Sequence, residues 1–189
     1  MRFLPGLICL LPLLSPLAHA ELIDDVNDRG ELRIALEANT PPFNYKDGDT
    51  LTGFEVELGQ LLANELDVRA DFIVTDEADL LQGVESGKYD VALNHIAQTA
   101  DLQDRFDFSA PYGKVDAQLL AKKDETPRPM VLVQALTSAK PTASAPVELA
   151  IPFQKGNPAF QASLESAMQR IKADGRLAAL SKKWLTEAN

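Results

Sequence analysis

His95 is the only histidine beyond the first twenty residues, and Cys9 is the only cysteine. An imidazole can trade protons near neutrality, but His95 follows Asn94 and has no serine or thiol partner in a recognisable nucleophile context. The sequence lacks a Gly-x-Ser-x-Gly elbow, a Gly-rich phosphate loop and a His/acid cluster at metal-ligand spacing. Asp47-Gly48-Asp49 is too short for a calcium loop and reads as a turn. No cofactor and no metal are expected. Arg105 carries a planar donor fork, and Asp104 and Asp107 flank it and favour a surface ion pair. Phe43 and Tyr45 either wall a pocket or cap a sheet edge. His95 is either a pH-sensitive donor in a pocket or a loop histidine bonded to backbone. The acidic pairs Asp24-Asp25, Glu55/Glu57 and Asp104/Asp107 read as solvated faces and helix starts. These residues suit non-catalytic binding better than catalysis.

The elements that must hold them follow from periodicity. Leu22–Asn27 suits a short helix stopped by Gly30, and Leu32, Ile34 and Leu36 alternate as a strand. A loop with Pro41, Pro42, Asp47, Gly48 and Asp49 comes next. Phe54, Leu58, Leu61 and Leu62 line one face of a helix from Gly53 to Glu65. Val68 to Val74 alternates as a second strand, Leu80, Leu81 and Val84 mark a short helix, and Val91-Ala92-Leu93 is a third strand. Strands alternating with helices predict a parallel sheet, with ligands at the carboxyl ends of its strands. Phe108–Tyr112 reads as a packing turn, and Val115–Ala121 as a fourth strand. Lys122 to Pro146, with Pro127, Pro129, Pro141 and Pro146, reads as a linker. Val147–Phe153 is expected as one strand. Asn157 is expected to cap a helix that has Pro158 at its first position and a stripe of Phe160, Leu164, Ala167, Met168 and Ile171. Asp174-Gly175 ends it, and Leu177, Leu180 and Trp184 stripe a last helix.

Arg2, the apolar run Phe3–Leu17 and Ala18-His19-Ala20 have the layout of a cleaved export signal, residues 1–20. Cleavage leaves a chain with no cysteine, and hence neither disulfides nor thiol chemistry. The formal charge of −10 argues against a nucleic-acid partner and against anionic lipid.

Taken in order, Gly30-Glu31-Leu32-Arg33-Ile34, Pro41-Pro42-Phe43, Gly53-Phe54-Glu55-Val56-Glu57-Leu58, Gly87-Lys88-Tyr89-Asp90-Val91, Phe108-Ser109-Ala110-Pro111-Tyr112, Lys155-Gly156-Asn157 and Lys183-Trp184-Leu185 resemble the family 3, amino-acid type, periplasmic solute-binding proteins of ABC transporters. The resemblance implies an α/β fold of two lobes closing on a ligand. It implies that residues 21–122 plus 147–189 form lobe one alone: a mostly parallel sheet flanked by helices, completed by a C-terminal return strand and helices. Residues 123–146 then form a Pro-rich bridge in place of the second lobe. The family's carboxylate-binding arginine falls on Leu102, its stacking aromatic on Thr40 and its ammonium-binding hydroxyl on Ala97, while Thr99 keeps the pattern. The expected ligand set is therefore Thr40, Phe43, Tyr45, Asn94, His95, Thr99 and Arg105. The implied role is periplasmic and non-catalytic: weak or partner-assisted binding of a small polar, amino-acid-like solute for ABC-type uptake or sensing. The alternative is an interaction module that docks on a transporter, a sensor ectodomain or its own copy through the former inter-lobe surface.

Overall fold

A computed structural model describes residues 21–116 and 146–185. The expected signal, most of the bridge, and the part of the predicted fourth strand beyond Asp116 lie outside those residues.

The chain begins with helix α1 (Leu22–Arg29), which ends on Gly30 in the left-handed region at φ 68°. Strand β1 (Glu31–Leu36) follows, buried at alternate positions and then continuously from Ile34. The expected proline loop is more ordered than its composition suggests. It forms a small antiparallel sheet of β2 (Asn39–Thr40), β3 (Asn44–Asp47) and β4 (Thr50–Thr52). The turn signals Asp47-Gly48-Asp49 are a hairpin connection between β3 and β4. Helix α2 (Phe54–Glu65) buries Phe54, Leu58 and Leu62, and the chain then enters β5 (Arg69–Val74). Helix α3 (Glu77–Glu85) is capped by Asp76, whose carboxylate accepts from the Asp79 amide. Strand β6 (Val91–Ala92), helix α4 (Ala100–Gln103) and strand β7 (Phe106–Phe108) come next. The segment expected as a packing turn, Phe108–Tyr112, starts on the last residue of β7 and leaves the strand there, with Phe108, Ser109 and Tyr112 buried.

Strand β8 (Gly113–Asp116) pairs antiparallel with β9 (Pro146–Leu149). The single strand expected over Val147–Phe153 is two: β9 and β10 (Pro152–Gln154) lie in different sheets, with Ala150 and Ile151 buried between them. Helices α5 (Pro158–Ala173) and α6 (Arg176–Trp184) close the chain, with Gly175 between them at φ 84°. Asn157 stands at the N-cap of α5 but does not cap it with its side chain, which accepts from the Leu22 amide at 2.9 Å. Glu21 supplies the α5 contact instead, accepting from the Ala159 amide at 2.7 Å.

The main sheet has the order β5-β1-β6-β10-β7. Strands β5, β1 and β6 are parallel, and β10 runs antiparallel to both β6 and β7. A parallel three-stranded core is thus joined to a C-terminal return strand. One face carries the large apolar cluster that includes Leu32, Ile34, Phe54, Leu58, Val91, Phe153 and Phe160. The other carries a smaller cluster of Ala35, Leu80, Val84, Tyr89, Phe106 and Phe108 beneath α3. Below the sheet, at the amino ends of β1 and β6, the fully buried Asp90 accepts from Arg29 Nη2 at 2.6 Å, Arg33 Nη2 at 2.7 Å and the Arg33 amide at 2.8 Å.

Candidate functional site

The chemistry of this fold collects where β1 and β6 end. Glu37 follows β1, Asn94 and His95 follow β6, and between them lies a chain of buried polar groups. It starts with an unusual helix entry. Gly53 takes φ 128°, and a Cβ there would stand 2.2 Å from the Phe43 carbonyl oxygen. Because glycine permits that approach, the Phe54 and Glu55 amides donate to the carbonyls of Pro42 and Phe43 at 2.9 and 2.8 Å. The first turn of α2 is thereby fixed against the start of β3, so that Glu55 faces Asn44.

Both residues are fully buried. Asn44 Nδ2 donates to Glu55 Oε2 at 2.7 Å, to the Leu93 carbonyl at 3.1 Å and to Asn94 Oδ1 at 3.2 Å. Asn94 Nδ2 in turn donates to Glu37 Oε2 at 2.9 Å, and Glu37 is only partly buried. The other carboxylate oxygen, Glu55 Oε1, accepts from the His95 amide at 2.5 Å and from Tyr112 Oη at 2.6 Å. One unbroken series of hydrogen bonds therefore runs Glu37–Asn94–Asn44–Glu55–Tyr112, and Tyr112 is the residue before β8. Burial pushes the Glu55 carboxyl above its ordinary value, against the opposing pull of His95 and the Tyr112 hydrogen bond. Burial and the adjacent Glu55 push the Tyr112 phenol well above its ordinary range.

Of the residues expected from sequence, Phe43, Asn94 and His95 come together here. Phe43 is 2% exposed, so it is a floor rather than an open wall, with Phe54 edge-on at 6.3 Å and the His95 ring at 5.6 Å. His95 takes φ 42°, a conformation non-glycine residues enter at a cost. Its amide holds Glu55, whereas its buried Nδ1 has no partner among the described residues. Thr40 lies half-buried in β2 and donates to Asn39 Oδ1 at 3.0 Å. Thr99 caps α4, accepting from the Leu102 amide at 3.4 Å. Tyr45 packs edge-on to Trp184, 6.3 Å away, outside the polar chain.

Arg105 is not brought to the site. It immediately precedes β7, which runs in the same sense as β1 and β6, so it lies at the opposite end of the strands. There its guanidinium holds Glu85 at 2.6 Å. The expectation that Glu55 and Glu57 are solvated fails for Glu55, because the start of α2 is pressed against β3. Glu57 does face outward, onto Lys183 at 2.5 Å. Sequence reasoning also missed Glu37, Asn44 and Tyr112. A faint signal existed for Asn44 and Glu55, since each polar residue is flanked by apolar or aromatic ones. Among the described residues no group of histidine, cysteine and acids is placed to hold a metal, and no helix is long and apolar enough to cross a membrane.

An α/β sheet with its polar groups gathered at the carboxyl ends of parallel strands is the architecture of a small-ligand binding lobe. Residues 32–187 match the model of the bacterial extracellular solute-binding proteins, family 3, and the chain belongs to that family. It is 38% identical over 107 residues to the L-cystine-binding protein TcyJ of Escherichia coli (strain K12), a match that takes in 56% of this chain and 40% of TcyJ. The chain thus spans about two fifths of the length of the curated relatives it matches. The crystal structure of YckB from Bacillus subtilis superposes with a TM-score of 0.71 at 23% identity, over 87% of this chain and 94% of that one. A point mutant of domain 1 from TmArgBP, in its arginine-bound form, superposes with a TM-score of 0.61 at 21% identity, over 80% of this chain and 98% of that one. At these identities the two structures speak for the fold.

Proposed function

We propose that this chain is a non-catalytic, single-lobe solute-binding protein that holds a small polar, amino-acid-like solute at the carboxyl ends of β1 and β6. The observation that carries this reading is the polar series from Glu37 to Glu55, which brings hydrogen-bonding groups to the ligand end of a solute-binding fold. The likeness in fold to domain 1 from TmArgBP, a structure of its arginine-bound form, is consistent with it. In this reading residues 1–20 are an export signal cleaved after Ala20, the mature chain works in the periplasm, and residues 123–146 bridge the position of the second lobe. One lobe covers less of a small ligand than a closing pair, so binding is weak unless a transporter component or another partner supplies the opposing wall.

The reading of a docking module finds less support. Val74, 47% exposed on the edge strand β5, is the one large apolar side chain substantially open to water among the described residues. Titration of the purified chain with a panel of amino acids, followed by calorimetry and by thermal shift, tests the proposal. A saturable shift with one chemical group of them supports solute binding. Complete silence across the panel, with dimers or a co-purifying protein in native mass spectrometry, supports the docking module instead.

A further inference from the structure

We propose that the open edge of β5 pairs antiparallel with β5 of a second copy of this chain, in a two-fold register centred on Phe72, so that the two main sheets join into one; this is independent of the solute-binding reading above. β5 ends the main sheet, with β1 on one side and no strand on the other among the described residues. The Arg69 amide donates to the Gly30 carbonyl and the Thr75 amide to the Leu36 carbonyl, both at 3.0 Å. In a parallel pair, alternate residues turn both backbone groups to the same neighbour. Arg69, Asp71 and Ile73 therefore serve β1, while Ala70, Phe72 and Val74 turn their amides and carbonyls outward. An open edge of this kind is a template for another strand. It is also apolar. Ala70 and Phe72 are half-buried beside the large cluster, Ile73 is half-buried beside the smaller one, and Val74 is 47% exposed.

The occupant follows from the pattern of the strand itself. Centring on Phe72 sets Ala70 opposite the copy's Val74, Phe72 opposite the copy's Phe72, and Val74 opposite the copy's Ala70. Each is a hydrogen-bonded pair whose members exchange both bonds, so every outward amide and carbonyl of both strands is satisfied and both Val74 side chains are covered. The competing symmetric registers do worse. Centring on Asp71 places it directly against the copy's Asp71, a like-charge contact. Centring on Ala70 calls on the Val68 amide, which already donates to the Ala63 carbonyl at 3.0 Å, and leaves Val74 in water. Centring on Ile73 sets Ala70 opposite Asp76, which lies outside the strand as the cap of α3. In the register centred on Phe72, Asp71 meets Ile73 and Arg69 meets Thr75, so neither charge faces its like. β5 holds one arginine and one aspartate, a locally neutral stretch on a chain of charge −10, and two copies meet there without opposing local charge. The contact is isologous, closes on two copies and uses no group of the candidate site.

Sedimentation equilibrium of the full chain over a concentration series is expected to show a monomer–dimer equilibrium. Val74→Lys is expected to raise its dissociation constant by about tenfold or more, with an unchanged melting temperature in dilute solution and unchanged calorimetry against the amino-acid panel. Cysteine pairing reads the register, in a Cys9→Ser background that has no other thiol. Ala70→Cys and Val74→Cys, mixed and oxidised, are expected to give a covalent dimer. Either variant alone is expected to give none, because in this register position 70 or 74 lies about 13 Å along the strands from the same position of the copy, beyond the reach of a disulfide. A chain that is monomeric throughout, a dimer that Val74→Lys leaves intact, or a mixture that fails to cross-link while the dimer persists overturns the inference. A covalent dimer from Ala70→Cys alone also overturns it, in favour of the register centred on Ala70. None of these results touches the solute-binding reading, which fails only on silence across the amino-acid panel.

Discussion

Tyr112 donates its phenolic proton to Glu55 Oε1 at 2.6 Å, and both residues are buried. The bond ties the residue before β8 to the first turn of α2, across 57 positions of sequence. Tyr112→Phe removes the donor and leaves an acceptor in an apolar setting. It should cost about 2 kcal/mol in denaturant unfolding. Unfolding equivalent to wild type would mean that the phenol contributes nothing. The phenol also predicts alkaline behaviour. Its raised value means the folded chain keeps the proton longer than the unfolded chain does. Its contribution is complete below the ordinary tyrosine range and is lost as pH rises above it, a loss Tyr112→Phe should abolish.

Glu55 has the same sign at lower pH. Below the ordinary carboxylate value of 4.5 it is protonated in both states. Its folded value is raised by burial, so its contribution is present below 4.5 and declines as pH climbs to the folded value. Glu65, lowered by its hydrogen bonds from Arg170 and Arg176, acts oppositely: its contribution is present above the ordinary value and lost as pH falls. The stability advantage of wild type over Glu55→Gln should therefore narrow from acid toward neutral pH, because the subtraction cancels Glu65. Chemical unfolding of both chains across that range provides the measurement, and a gap that widens with pH would reverse the assignment.

Gly53→Ala places a methyl group against the Phe43 carbonyl at a backbone angle that side chains resist. The strained backbone alone should cost about 1–3 kcal/mol. Because the same contact aligns Glu55 with Asn44, the variant should also weaken solute binding. Calorimetry and thermal melts together would show a lower melting temperature with weaker binding, and an unaltered affinity would separate the helix entry from the site.

Arg105→Ala breaks an exposed pair with Glu85 at the far end of the strands. Solute affinity should be unchanged within error, and a clear loss of binding would mean that Arg105 reaches the ligand after all.

Asp90→Ala removes the shared partner of Arg29 and Arg33 and leaves the Arg33 amide without its acceptor. Breaking a buried charge pair of this kind should cost about 3 kcal/mol, read as a fall in the urea midpoint.

The sheet and its helices were largely legible because their signals are local and repeated. The stripe Phe160, Leu164, Ala167, Met168 and Ile171 is wholly buried, as helical spacing requires. The small sheet of β2, β3 and β4 was not legible, since prolines and turn residues there hide pairs such as Tyr45 with Thr52. Nor was the division between β9 and β10, because the run Val147–Phe153 is apolar throughout its middle and carries no break at Ala150. The site was half legible. Asn94 and His95 follow from the rule that ligands meet strand ends, whereas Glu55 reads as an ordinary acidic helix start. Its burial arises from a backbone contact between Phe43 and α2 that no spacing encodes.

Strand β10 lodges between β6 and β7, and Phe153 on it is wholly enclosed against Phe160 at 5.1 Å. A ribosome that has released only the first 116 residues has therefore made both neighbours of the fourth slat but not the slat itself. The hydrophobic seam between β6 and β7 must wait for Pro152–Gln154, so truncations that remove those residues should release β7 from the sheet while β5, β1 and β6 stay paired.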